Sequence, residues 1–415
     1  MKKEFLDSVI IQEEKDLRGF FDQIFNLGII AELVEYKKEK TKDSSLYFHL
    51  KSHCLPLCKG FFKELDELCD KTRRNLGLDV NDITFYLAND PEFNCQCLKR
   101  VKSSEPSVVI INSGLLEKIT LDELAFVLGH EIGHILFDHF IITEIFKTVY
   151  PNREKLPPLL NKLYSLWCNL SELSADRIGL LASKNFETSI RALIKLASGG
   201  HLKFHDLPLD NVLSLIETLY EELKNLRVSD ISDHPPVPIR IKALKFFYDS
   251  HLWKYLESNE SAYFDEQLEK NLREITSVLR KRPFTEEEYY ELLFLASAGI
   301  FLMTVDKEID EREHIYIANL LSKYIYWPIG FIEGINKENL NNSLEISSSY
   351  IRENCPWKIK ELLTMLFNIL IRDQKLKEAE VFAFKIIANK YLKISEYEIN
   401  EIMLESITER YIPFY

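Results

Sequence analysis

The sequence predicts a mainly α protein with a small β-sheet, an α+β chain whose strands are confined to one short region. Three observations carry this. Apolar residues recur at helical spacing over most of the chain; three short segments between residues 82 and 114 are rich in β-branched and aromatic residues; and two stretches beyond residue 284 repeat one helix-turn-helix pattern. With 415 residues and a hydrophobic share of 46%, the chain can bury a core in each of several domains.

In chain order, residues 1–40 read as helix, with Phe20, Phe21, Ile24, Phe25 and Leu27 on a loosely periodic apolar face, and "KKEKTKDSS" reads as a linker. "LPLCKGFFKELDELCDKTRRNLGL" has helical spacing and Gly77 as its stop signal. "DITFYLAN", "FNCQCLK" and "SVVIINSG" then read as a small meander. In "ITLDEL", Thr120 caps the next helix and Glu123 completes a capping box. "LLNKLYSLWCNLSELSADRIGLLAS" is a further helix, and "SGGHLKFHDLPLDN" breaks the one after it. "SDHPPVP" is a proline-stiffened turn before the helix of "IRIKALKFFYDSHL". A composition boundary falls at "RKRPFTEEE", residues 280–288. Past it, "LASAGIFLMTVDKEIDEREHIYIANLLSKY" and "LLTMLFNILIRDQKLKEAEVFAFKIIANKY" align at an offset of 67 residues, with Asp306 on Asp373, Glu311 on Glu378 and Glu313 on Glu380.

Composition removes several function classes. A net charge of -13 with no basic cluster among aromatics gives a phosphate backbone little to attract, so nucleic acid is not an expected partner. The basic tip of "MKKEFLDSVIIQEEKDLRGF" leads into only a short apolar run with no small-residue cleavage site, which argues against export. The longest oily runs are too short or too polar to cross a bilayer, so no integral membrane segment is expected. Seven scattered cysteines fit reduced thiols in the cytoplasm, while Cys54, Cys58, Cys95 and Cys97 offer only weak zinc spacings.

The chemistry concentrates in "VLGHEIGHILFDH", residues 127–139. His130 and His134, four apart, project from one helical face and can share a tetrahedral zinc ion, while Glu131 can reach a zinc-activated water without binding the metal. The plainer alternative is a core helix with an odd polar face. Gly129 and Gly133 weigh against it, because they cost helix propensity unless something must come close. A catalytic zinc needs a third protein ligand, and "SELSADRIG" offers Glu172 for it, with Asp176 one turn on to accept a ring N–H from a ligand histidine. His139, five after His134, falls off the ligand face and is expected in solvent or behind the ligands. Cys168 lies one turn before Glu172 and reads as a buried structural thiol. His201 and His205 read as loop residues.

"GLLEKITLDELAFVLGHEIGHI", then "ELSADRIG", then "HPPVPIRIKAL" resemble the zinc metallopeptidases that include HtpX, the CAAX prenyl proteases and the Oma-type proteases, metallopeptidase family forty-eight. The likeness runs from about residue 58 to about 250. It implies a gluzincin fold holding one catalytic Zn2+ on His130, His134 and Glu172, with Glu131 as general base and Asp176 supporting the ligands. It further implies that His234 helps stabilise the oxyanion and that Arg240 stands at the family's arginine. Where the family tends to have Asn-Ala before its edge strand, this chain has Asn94 followed by cysteine. A substrate strand could add to a sheet edge near residues 94–98 or 106–113.

The repeat over residues 284–415 resembles the TerB-like (tellurite-resistance B) helical domain, through an apolar helix ending in "VDKEIDERE" and the degenerate "IRDQKLKEAE". In that family such acids are linked to metal, and Asp306, Glu308, Asp310 and Glu313 could ligate a hard cation, although acids at helix N-termini also serve simply as caps. The expected organisation is an N-terminal helical region 1–57, a zinc metallopeptidase domain 58–280 and an all-α TerB-like domain 281–415. The expected function is a cytoplasmic zinc endopeptidase acting on protein or peptide substrates, positioned or regulated through its TerB-like domain, in stress response or defence. The alternatives are a zinc-stabilised scaffold that no longer cleaves and a latent effector held shut, with "PNREKLPPLLNK" as a lid.

Overall fold

The structure, a computed structural model, describes residues 3–41, 50–99, 106–151, 156, 158–200, 208–225, 234–257, 264–280, 285–304, 317–318, 320–321, 331–332, 334–335, 339–371 and 376–410. It is mainly helical, with one four-stranded mixed sheet. The chain divides into two compact units: Met1–Lys155 with Ser165–Leu279, and Leu156–Tyr164 with Arg280–Tyr415.

In the first unit the expected single N-terminal helix is three: α1 (Lys3–Val9), α2 (Gln12–Phe25) and α3 (Leu27–Thr41). Asn26 ends α2 in the left-handed conformation at φ 48°, one of the few residues that accept it, and the Asp22 carboxylate takes up the N–H of Leu27. α3 also runs into the stretch read as a linker, through Thr41.

The stretch 55–78 was expected to be helical throughout, but it starts as strand β1 (Cys54–Pro56). Left-handed Cys58 and Gly60 then turn the chain, so that α4 begins only at Lys63 and ends at Asn75. Strands β2 (Ile83–Ala88), β3 (Cys95–Leu98) and β4 (Ser107–Asn112) complete a sheet of order β1-β2-β4-β3. This is not the expected meander: β2 and β4 pair in parallel, and β3 turns back antiparallel on the far side of β4. All six residues of β4 are buried, and a strand covered on both faces belongs in the sheet interior. Of the two segments offered as a substrate edge, 94–98 is therefore an edge and 106–113 is not.

A short turn of helix, α5 (Ser113–Leu116), leads to α6 (Leu121–Leu136), the central element. The capping box is present: Glu123 N–H donates to the Thr120 hydroxyl, and Thr120 N–H to the Glu123 carboxylate at 2.7 Å. Lys195 reaches the same carboxylate at 2.7 Å, so the buried acid is paired. Beyond α6 come α7 (His139–Val149), α8 (Pro158–Ser183), α9 (Phe186–Ala197), α10 (Leu209–Asn225), α11 (Val237–Asp249), α12 (His251–Glu257) and α13 (Glu266–Thr276).

The two glycines of the motif have a packing reason. A Cβ at Gly129 would collide with the Ala182 side chain and come within 2.9 Å of Gly179 Cα; one at Gly133 would lie 2.9 Å from Ala175 Cα. α6 and α8 thus meet nearly backbone to backbone.

The second unit is helical: α14 (Glu286–Thr304), α15 (Leu340–Asn354), α16 (Ile359–Leu370), α17 (Glu378–Ile386), a wide turn at Ile387–Tyr391, and α18 (Glu396–Arg410). Apolar α14 and the pair α16 and α17 fall where the two repeat copies were read. Glu378 and Glu380 sit in the first turn of α17, where acids favour the helix dipole. Asp306, Glu308, Asp310 and Glu313, like His201 and His205, lie outside the described residues.

Among the described residues no single helix is long and apolar enough to cross a membrane; α6 with α7, bent by 62°, meet that measure only as a pair. Their Leu124, Phe126, Leu128, Ile132, Ile142 and Ile145 are buried in the first unit's core.

Gly133→Ala should lower the thermal midpoint although alanine is the better helix former. Forcing two packed helices apart costs about 1–3 kcal/mol, against a propensity gain of about 1 kcal/mol. Thermal unfolding of the two proteins checks this, and an unchanged or raised midpoint refutes it.

Candidate metal centre

The close contact of α6 and α8 sets two helical faces against each other. His130 and His134, one turn apart on α6, meet Glu172 on α8. His130 Nε2 lies 3.1 Å from His134 Nε2 and 3.4 Å from Glu172 Oε2, and His134 Nε2 lies 3.2 Å from Glu172 Oε1. A tetrahedron with vertices about 2.0–2.1 Å from its centre, the usual zinc–ligand length, has edges of about 3.3–3.4 Å. The donor set of two imidazoles and a carboxylate, at this spacing, fits one zinc ion. Among the described residues no other group of three or more such donors converges this way.

Each ligand is backed by a partner. His130 Nδ1 is 2.9 Å from Asp176 Oδ1. Asp176, only 1% exposed, is gripped at both oxygens by Arg240, at 2.8 Å from Nε and 2.6 Å from Nη2. This fork explains why arginine stands at 240 on α11, a placement that spacing alone does not predict. Arg240 also comes within 3.6 Å of Glu172. His234, at the turn before α11, is 68% exposed and points Nδ1 at Glu172 Oε2, 3.1 Å away. That hydrogen bond raises its pKa. His234, to which the resemblance assigns a part in stabilising an oxyanion, therefore borders the ligand set.

Glu131 is half-buried next to His130 and accepts a hydrogen bond from the Cys97 thiol of edge strand β3. Burial, reinforced by Glu131, holds the Cys95 and Cys97 thiols well above the usual range, so both stay protonated. Cys54 sits on the opposite edge of the sheet, three strand spacings or roughly 14 Å away. It therefore cannot share an ion with Cys95. Cys168 is half-buried and not one of the convergent donors.

Of the two positions open to His139, solvent and the space behind the ligands, the structure takes the second. The ring is buried, with Nδ1 2.8 Å from His134 Nδ1. Behind it stands Glu14, a residue to which the sequence reading assigns no role. Its signal was an acid on an apolar stripe, since Glu14, Leu17, Phe21 and Phe25 form the buried face of α2.

Residues 62–153 match the model of Peptidase family M48. The chain is also similar to plastoglobule-localized metallopeptidase 48, chloroplastic, of Arabidopsis thaliana, with 27% identity over 148 residues, 34% of this chain and 42% of that relative. The chain thus spans less than half the length of that curated relative. No solved structure matches it. The H-E-x-x-H segment lies within the stretch that matches the family model, and His130, His134 and Glu172 converge as a candidate metal site. The family match stops before Glu172, Asp176 and Arg240, which are brought to the ligand face by the fold.

Without an ion, the cluster titrates in two directions. Burial opposes charge on His130, but Glu172 and Asp176 outweigh it and raise its pKa to about 10. Burial opposes charge on the acids as well, yet the histidines hold Glu172 well below the usual carboxylate range, and Arg240 with His130 holds Asp176 down. A pKa raised by folding stabilises below its unfolded value and loses that contribution as pH rises; a lowered one loses it as pH falls. Metal-free protein should therefore be most stable between the unfolded values of 4.5 and 6.5, weakening toward pH 10 as His130 gives up its proton. Thermal midpoints in chelator across this range test it. His130→Gln should have a shallower alkaline slope, keeping only the part due to His234 and the buried thiols, and a flat wild-type profile above pH 6.5 counts against the assignment.

Proposed function

We propose that the chain is a zinc-dependent endopeptidase. The observation that carries the reading is the set of three donors spaced for one ion, with Glu131 next in the chain to His130. A bound zinc supplies a Lewis acid and brings the pKa of a bound water toward about 7. Glu131 is the general base that takes the proton from the attacking water and returns it to the leaving amine. His234, exposed on the open side of the ligand set and favoured in its charged form by Glu172, is the donor for the developing oxyanion. Asp176 and Arg240 keep His130 oriented. An extended substrate backbone would pair with edge strand β3, whose Cys97 already touches Glu131. Binding through backbone groups reads extended shape more than side-chain identity.

In the same reading the unit beyond residue 280 is a TerB-like domain that positions or regulates the peptidase, in the cytoplasm and in a stress or defence role. The repeated sequence pattern, whose second copy folds as α16 and α17, and the acid-bearing first turn of α17 support that assignment.

Glu131→Gln should retain zinc by metal analysis and lose roughly 10²–10⁴-fold in peptide-bond hydrolysis. Equal cleavage by both proteins overturns the assignment of Glu131. Zinc-loaded wild type that cleaves nothing favours the zinc-stabilised scaffold instead.

A further inference from the structure

The second ligand histidine is held by a chain of groups that begins outside the family-matched segment. His134 Nδ1 faces His139 Nδ1 at 2.8 Å, and His139 Nε2 faces Glu14 Oε1 at 2.9 Å. His139 is 5% exposed and Glu14 0%. The turn that creates this contact is specific: Asp138 takes the left-handed conformation, φ 55° and ψ 48°, ending α6 and folding the first residue of α7 back toward His134. The edge of Trp167 and the ring of Phe137 hold His139 in place, with centroids 5.7 and 5.6 Å away.

Glu14 is delivered as deliberately. Ile11 N–H donates to the Ser174 hydroxyl at 3.1 Å, Arg177 to the Val9 carbonyl at 2.7 Å, and Arg18 to the Phe137 carbonyl at 2.7 Å. The start of α2 is thereby tied to α8, the helix of Glu172, and to the end of α6. Glu14 Oε2 has no hydrogen-bond partner among the described residues. A buried carboxylate with one oxygen unpaired costs free energy that a packing residue would not incur.

The proton positions follow from counting. Two facing Nδ1 atoms share one proton. A neutral His134 that offers Nε2 to a metal carries its proton on Nδ1 and donates it to His139. His139 then has its own proton on Nε2 and donates it to Glu14. We infer that Glu14 and His139 are positioning residues of the metal site, a carboxylate–imidazole relay that fixes the tautomer and orientation of His134 as Asp176 does for His130. This rests on the metallopeptidase reading above, and it makes α2 part of the metal centre.

The test uses full-length protein. Zinc dissociation constants are read by competition with a chromophoric chelator, and folding by the thermal midpoint of the metal-free forms. His139→Phe and Glu14→Leu should weaken zinc about 10–100-fold, the usual loss when such a partner of a ligand is removed. Glu14→Gln keeps an acceptor for His139 Nε2–H and should recover part of that loss. Long-range 15N–1H NMR of zinc-loaded wild type needs no variant: it should show His134 protonated on Nδ1 and His139 on Nε2 alone. A folded His139→Phe within threefold of wild-type affinity overturns the relay and leaves the peptidase reading intact. His139 protonated on Nδ1, or on both nitrogens, overturns it too. Wild type that binds no zinc overturns both.

Discussion

The contact on which the rest of the first unit depends is the near-touching of two helix backbones. Gly129 and Gly133 of α6 lie against Ala175, Gly179 and Ala182 of α8, leaving no room for a side chain between them. Only at this separation can a short carboxylate on one helix reach two imidazoles on the other. The glycines cost helix stability, and buried neighbours such as Phe126 and Ile178 secure the helices around them.

This contact creates an electrostatic problem. Five polar or charged side chains, His130, His134, Glu172, Asp176 and Arg240, crowd a largely dry region. They are tolerable because they are paired in sequence, each ligand to a partner and each partner to a further anchor: Arg240 grips Asp176, and Glu14 accepts from His139. The anchors come from opposite ends of the unit, α2 near residue 14 and α11 near residue 240. The site is thus a product of the whole unit and not of the helix bearing the motif.

Much of this was legible in the residues. The four-residue spacing of His130 and His134, the acid between them, and the pair Glu172 and Asp176 on one later helix all follow from a 3.6-residue period. The capping box at Thr120 is a local contract between neighbours, and local contracts survive folding. Strand order was not legible. "SVVIIN" and "CQCL" both read as strands, but which lies inside depends on what covers their faces, and that is settled by helices elsewhere in the chain. β1 was hidden for a related reason: a three-residue strand is too short to show a period, and the helix after it lent its own. Glu14 was the hardest to see. Its partner is 125 residues away, and an acid within "QEEKD" looks like solvated surface until its neighbours on the stripe are buried.

The left-handed turn at Asp138 has a consequence for how this segment tolerates change in length. Between His134 and His139 the chain completes α6, passes through one left-handed residue and starts α7, and the two rings meet edge to face only because that count is kept. A residue gained or lost there would swing the third histidine away by about a quarter to a third of a turn. Loops usually absorb insertions with little effect. This one is a measured spacer, and its length sets whether the His139 ring reaches His134 at all.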